Sequence, residues 1–382
     1  MNKAIIIPDS FKGTLKAEEV CHIISDVIRI HYPMCEVFEI PVADGGEGTV
    51  DAFFYAMGGE KKKVNVRGPL HENVNAEYLL TENGSTAVIE MAACSGLALA
   101  GGRKDPSLTT TYGVGSMISH ALDRNVKKIV LGLGGSSTND GGCGMAAALG
   151  VVFTDKTSTP FIPVGKTLKD IDTIDMNGLD RRIKDTEIVV MCDVTNPLYG
   201  PDGAAFVYAP QKGADETMVK SLDEGLVHFS KSIEKHTGKD VSHMPGAGAA
   251  GGMGAGAVIF LNATLCSGID TVLEAVDFRN LVRGADIVFT GEGRVDRQSI
   301  DGKVISGVAP ICRREGVPLY VLTGSVIEPV DELYDLGVTA IFPITENQSE
   351  QEYISESKAE DIHVEAKNNL KITTDSVIGK IK

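Results

Sequence analysis

KIVLGLGGSSTNDGGCG, residues Lys128–Gly144, carries an apolar β-type run directly into a glycine-rich segment. Ile129, Val130 and Leu131 read as a buried strand. The glycines that follow leave backbone N–H groups uncovered near a helix start, which is how an anion site is built. Ser136, Ser137, Thr138, Asn139 and Asp140 add hydroxyls, an amide and a carboxylate. These group types hold phosphate oxygens and Mg²⁺ together, so a metal-bound polyphosphate is the expected ligand. The plainer alternative is a tight strand-to-helix turn whose glycines only satisfy backbone geometry.

The same construction recurs along the chain. Ala4–Ile7 runs into PDSFKGTL, Val37–Val42 into ADGGEGT, Ile188–Met191 into CDVTNPL, Ile287–Phe289 into TGEGRVD, and Tyr320–Leu322 into TGS. Short, continuous apolar strands that end in polar loops predict an α/β fold with a mostly parallel sheet buried on both faces. In open sheets of this kind ligands bind beyond the carboxyl ends of the strands, so these loops are the places to look for chemistry.

With 382 residues and 43% hydrophobic content the chain has length for about two domains and a substantial core. No apolar stretch approaches the roughly 20 residues that span a bilayer, and MNKAIIIPDS breaks at Pro8 and Asp9 before a signal-peptide core forms. A cytoplasmic location without membrane association is expected. The seven cysteines are scattered and never spaced as CxxC, which argues against a disulfide framework or zinc cluster. A net charge of −16 argues against nucleic acid, whose binding rests on Lys and Arg. Any phosphate site is therefore local.

Between the strands, Ala17–Ile30 places Val20, Ile23, Ile24, Val27 and Ile28 on one apolar stripe, and Asp215–His236 does the same with Met218, Val219, Leu222, Leu226, Phe229 and Ile233. The first stripe is core; the second, with charged residues opposite it, marks a surface helix. Residues 345–360 form a polar tract, after which Ile362, Ala366, Leu370 and Ile378 dock a last helix. The hydrophilic region 155–185 reads as a surface excursion.

Several loops carry candidate chemistry. In PDSFKGTL, Lys12 projects beside Asp9 and Ser10, where a lysine can neutralise a transferring phosphoryl group. In ADGGEGT, Asp44 and Glu47 flank glycines and are placed to coordinate Mg²⁺ directly or through water, though Asp44 also suits a helix cap. CDVTNPL holds Asp193 and Asn196 in defined directions through Pro197, and Asp193 is the first choice for a general base that takes an alcohol proton. An Asx turn before proline is its plainer reading. GEGRVDRQSIDGK supplies Glu292, Arg294, Asp296 and Lys303, for a second metal position, a small carboxylate substrate or a surface ion-pair cluster.

Two lookalikes fail. Gly165-Lys166-Thr167 ends like a phosphate-binding loop, but Pro160 stands where its first glycine belongs. PGAGAAGGMGAG, residues 245–256, contains GxGxxG without a buried strand before it or a suitably placed acid after it. Its small residues allow either a very close helix approach or amides aimed at a phosphate.

The strings PDSFKGTL, PVADGGEGT, VIEMAACSGLAL, TTTYGVG, GLGGSSTNDGGCG, CDVTNPLYGP, APQKGAD, PGAGAAGGMGAG and TGEGRVDRQSIDGK, in that order, resemble the bacterial class I glycerate kinases over nearly the whole chain. The departures are Lys16 at a common helix-capping serine position, Cys143 for a smaller residue, and a poorly matching C-terminal tail. The resemblance implies two α/β domains with an active-site cleft between them. One is flavodoxin-like and built from residues 1–65 and 285–382; the other, 66–284, is inserted into it. It also implies transfer of the ATP γ-phosphoryl group to D-glycerate with Mg²⁺, usually at the 2-hydroxyl. The 3-hydroxyl, another small sugar acid, and a non-catalytic sensor of phosphorylated hydroxy acids stay open, as does assembly into a homo-oligomer.

On that basis Lys12, the backbone amides of Gly134, Gly135, Ser136, Ser137 and Thr138, and Asn139 hold the nucleotide or the transferring phosphate. Asp44, Glu47 and Asp296 are the metal candidates. Asp193 takes the hydroxyl proton. Arg294 grips the glycerate carboxylate through its fork of donors, with Ser10, Lys303 and Asn196 as further substrate contacts. The absence of Trp predicts an adenine held by aliphatic walls and backbone hydrogen bonds.

Overall fold

The computed structural model describes residues 1–11, 13–300, 303–327, 330–345 and 356–381. In chain order its strands are β1 (Lys3–Pro8), β2 (Glu36–Glu39), β3 (Glu60–Arg67), β4 (Asn73–Leu80), β5 (Thr86–Glu90), β6 (Lys128–Gly132) and β7 (Val152–Thr154). There follow β8 (Pro160–Phe161), β9 (Thr173–Asp175), β10 (Glu187–Met191), β11 (Thr264–Cys266), β12 (Ile287–Val295), β13 (Leu319–Val326) and β14 (Ala340–Pro343). The chain divides into two compact units. Met1–Ala43, Asp51–Met57 and Gly268–Lys382 form the first; Asp44–Val50 and Gly58–Ser267 form the second.

The first unit holds a five-stranded sheet in the order β14-β13-β12-β1-β2, parallel throughout. Counted within the unit this is 2-1-3-4-5, the flavodoxin-like order, and the direction of winding reverses between β1 and β12. Ala4, Ile5, Ile6 and Ile7 are all fully buried, as a strand covered on both faces requires. One face packs against the stripe Val20, Ile24, Val27 and Ile28 of the helix Ala17–His31 and against Ala366, Leu370, Val377 and Ile378 of the helix Glu356–Lys380. The expected strand Val37–Val42 is shorter, but Ile40 and Val42 still donate to the carbonyls of Ile6 and Pro8. By contrast β12 runs on to Val295, so GEGR is strand paired to β13 and not loop.

The second unit is built on a six-stranded sheet, β11-β10-β6-β5-β4-β3, in which β5, β6, β10 and β11 are parallel and the β3–β4 hairpin closes one edge antiparallel. Glu90, Gly132 and Met191 lie in register, so three strands end at one level. The region 155–185 contributes two strands of a small antiparallel sheet, β8-β7-β9. Because β3 pairs along its length with β4, residues 58–65 belong to this unit. Residues 268–284 belong to the other, where Ile269 packs against Gly307 of the helix Val304–Glu315. Both stretches thus fall across the division expected from sequence. Among the described residues no helix is long and apolar enough to cross a membrane.

Above the aligned strand ends, backbone meets backbone. The Gly134 N–H donates to the Gly45 carbonyl at 2.9 Å. A Cβ on Gly134 would lie 2.4 Å from Gly46 Cα, and one on Gly132 2.4 Å from the Gly45 oxygen. Gly45, at φ +85°, also sits against Met191. Here glycine is required by space. We expect Gly134→Ala to lower stability by about 1–3 kcal/mol through overpacking, read as a lower urea midpoint. Gly102→Ala, with no atom near its added methyl, should change it by less than about 0.5 kcal/mol.

Candidate active-site residues

Within the second unit, the segment Asp44–Gly48, the loop after β6 and the end of β10 converge on the glycine contact. Asp44 and Glu47 are exposed. The Asp44 carboxylate accepts from the Gly46 N–H at 3.1 Å, and Thr49 Oγ1 donates to the Gly46 carbonyl, which ties the turn to the helix start. Glu90 accepts from the Val50 N–H at 2.6 Å. The two carboxylates are therefore carried on a braced turn beside the loop of Gly134.

That loop divides into an outer and an inner part. Gly134 is half-buried, Gly135 is exposed and Ser136 is 8% exposed. Among the described residues the amides of Gly135 and Ser136 donate no hydrogen bond. Ser137 and Thr138 face inward. Ser137 donates through both N–H and Oγ to the Ser95 carbonyl at 2.9 Å, and Thr138 Oγ1 donates to the Ala250 carbonyl. Asn139 is fully buried, and among the described residues neither polar atom of its amide has a partner. Asp140, read from sequence as a ligand-facing carboxylate, is fully buried. It accepts from Thr111 N–H (2.7 Å) and Oγ1 (2.9 Å) and from the N–H groups of Gly142 and Gly144. Burial pushes its carboxyl upward and these donors pull it back. Its role is to fix the start of the helix Cys143–Ala148.

Lys212, which the sequence reading passed over, lies beneath this loop at 2% exposure. Its ammonium donates to Ser136 Oγ at 2.9 Å and to the Thr138 carbonyl at 2.7 Å. Burial pushes its pKa down to about 7, against the field of Asp140. The only signal in the sequence is the string APQKGAD, where a lysine beside Gly213 looks like any turn lysine. The glycine run 245–256 proves to be a packing device. Ala250, Gly251 and Gly252 take positive φ, and a Cβ on Gly251 would lie 2.0 Å from the Thr138 carbonyl.

Asp193 is exposed just beyond β10. Asn196 is partly engaged: its side-chain NH₂ donates one hydrogen bond to the Asp202 carbonyl at 2.8 Å and its oxygen accepts from Tyr208 Oη at 2.6 Å. It braces the Asp193 loop. A cavity of about 550 Å³ opens beside the glycine loop, lined by Glu47, Leu97, Ala98, Gly101, Lys104 and Gly135.

In the first unit, the remaining candidates gather at the ends of β1 and β12, where the winding reverses. Ser10 follows Asp9 and donates its N–H to that carboxylate at 2.6 Å. Arg294 donates through Nε at 3.0 Å to Asp296 Oδ2 and pairs with it through Nη2 at 2.8 Å. Asp296, a metal candidate by sequence, is thus the counterion of Arg294, and part of the guanidinium fork is already taken. Lys303 Nζ lies 3.4 Å from Glu292 Oε2. Glu292 is 4% exposed, and among the described residues its Oε1 has no partner. Burial pushes its carboxyl upward, Ser299 and Lys303 oppose that, and Asp9 reinforces it. Lys12 lies outside the described residues. Among the described residues no three His, Cys, Asp or Glu side chains group as a metal site. Asp44 and Glu47 belong to the second unit and Asp296 to the first.

Comparison with known proteins places this geometry. A family model described as the glycerate kinase family matches residues 4–374. A glycerate kinase of Halalkalibacterium halodurans is 46% identical over 345 residues, 90% of this chain and 91% of its own. The glycerate 2-kinase of Escherichia coli K12 is 44% identical over 343 residues, 90% of either chain. A crystal structure described as glycerate kinase 2 from Salmonella typhimurium LT2 matches with a TM-score of 0.88 at 39% identity, covering 100% of this chain and 98% of that one. With the match running through both units and every loop described above, the chain belongs to the glycerate kinase family.

Proposed function

We propose that this chain transfers the γ-phosphoryl group of ATP to the 2-hydroxyl of D-glycerate in the cytoplasm, giving 2-phospho-D-glycerate and ADP. The observation that carries the reading is the Gly135–Ser136 edge, whose two amides donate to no acceptor among the described residues and lie beside the carboxylates of Asp44 and Glu47. Its experiment is incubation with ATP, Mg²⁺ and D-glycerate followed by NMR of the product. Phosphorus coupled to the C2 proton is expected; phosphorus on C3, or no ADP release, overturns the reading.

Each group then has a physical task. The amides of Gly135 and Ser136 receive phosphate oxygens, as unpaired backbone donors do. Asp44 and Glu47 suit Mg²⁺, which is usually held by one or two carboxylates plus the phosphates it accompanies. Mg²⁺ bound there would neutralise phosphate charge. The purine and ribose occupy the cavity walled by Leu97, Ala98 and Gly101, in keeping with aliphatic contact in a chain without Trp. Lys12 balances charge on the transferring group. Asp193, exposed on a stiff loop, accepts the hydroxyl proton. Lys303, Ser10 and the uncommitted donors of Arg294 hold the glycerate carboxylate, with Asp296 orienting the guanidinium.

Asp193→Asn keeps size and loses basicity. It should lower kcat by at least about 10²-fold with little change in the KM for glycerate, and near-normal turnover would remove Asp193 from the role. Ala98→Trp, at an exposed position on the cavity wall, should raise the KM for ATP roughly 10-fold or more while sparing that for glycerate, since only one substrate loses its wall. Unchanged ATP kinetics would place the purine elsewhere.

A further inference from the structure

Lys212 closes the short turn Pro210–Lys212 and is buried with both of its observed acceptors on one loop, Ser136 Oγ at 2.9 Å and the Thr138 carbonyl at 2.7 Å. An ammonium has three donors and no lone pair. Ser136 Oγ must therefore accept from Lys212, which directs the hydroxyl's own hydrogen away from the lysine. Ser136 retains 8% exposure beside the exposed Gly135. We infer that Lys212 is a positioning residue for the anion site: it holds the Ser136 hydroxyl as an obligatory donor toward phosphate. This rests on the reading of Gly135–Ser136 as the phosphate edge.

The alternative is a lysine that merely fills space under the turn. The two differ in the direction of the Ser136 proton. A protonated Lys212 leaves that proton for the ligand, whereas a neutral amine carries a lone pair and can accept it, turning the hydroxyl inward. Burial brings this change near pH 7, and Asp140 is the ionisable group whose field opposes it. Nucleotide affinity should thus fall as pH rises through that range. The fall should vanish once Ser136 lacks a hydroxyl.

The test is ADP binding by calorimetry to the full chain and to Lys212→Met, Lys212→Arg, Ser136→Ala and the Met/Ala double variant, with far-UV CD and melting to establish folding. Lys212→Met and Ser136→Ala should each weaken ADP binding roughly 10- to 100-fold, as loss of a charge-assisted contact does. The double variant should be no weaker than the worse single one, because the two act as a unit. Lys212→Arg should restore most of the affinity, and the KM for glycerate should stay within about twofold of the parent. Folded Lys212→Met with parental affinity beside a weakened Ser136→Ala overturns this inference and leaves the phosphate-edge reading standing. Parental affinity in both overturns that reading. If Lys212→Met does not fold, the pH profile decides: an alkaline loss of ADP binding that persists in Ser136→Ala overturns the role.

Discussion

The contact of Gly132 and Gly134 with Gly45 and Gly46 is the constraint on which the second unit's chemistry depends. A parallel sheet aligns the ends of β5, β6 and β10, but strand register alone does not bring a distant turn onto them. Backbone can lie on backbone only where no Cβ intervenes, and the 2.4 Å that would separate an added methyl from the opposing chain leaves no room for one. The Gly134 N–H spends its hydrogen bond on the Gly45 carbonyl. Some of the loop's glycines therefore serve assembly, and among the described residues the amides of the next two, Gly135 and Ser136, find no acceptor.

The inner half of the same loop is a buried polar network. Transferring a carboxylate or an ammonium out of water costs several kcal/mol unless hydrogen bonds replace the lost hydration. Asp140 meets that cost with four donors from Thr111, Gly142 and Gly144, and Lys212 meets it with two acceptors. Satisfied networks of this kind specify one arrangement. The left-handed turn at Ala250–Gly252 packs on the Thr138 carbonyl from another side. A loop so braced would meet the proposed phosphate with little left to order, and pre-organised donors are worth more than mobile ones.

The first unit solves a different problem with the same fold logic. Its strand order reverses between β1 and β12, and the side chains beyond them gather there. The continuation of β12 past the end of β1 raises Glu292 and Arg294 on a rigid strand paired to β13. Two carboxylates then pair with two cations: Asp296 orients Arg294, and the buried Glu292 stands against Lys303.

From the sequence alone came the α/β class, the apolar runs that become β1, β6, β10, β12 and β13, the stripes of the two long amphipathic helices, and the family itself. All of these rest on local periodicity or on contiguous strings, and both survive without knowledge of neighbours. Tertiary structure decided what each polar residue faces. Ser136 and Asp140 are four positions apart in one glycine-rich string, yet one reaches the surface and the other is sealed beneath it. Asn196 and Asp296 carry the right chemistry for a ligand and are already engaged, in part, by Tyr208, Asp202 and Arg294. Lys212 looked like a turn lysine because its partners lie more than 70 residues away along the chain. Burial and pairing are properties of the assembled sheet, and no window of sequence contains them.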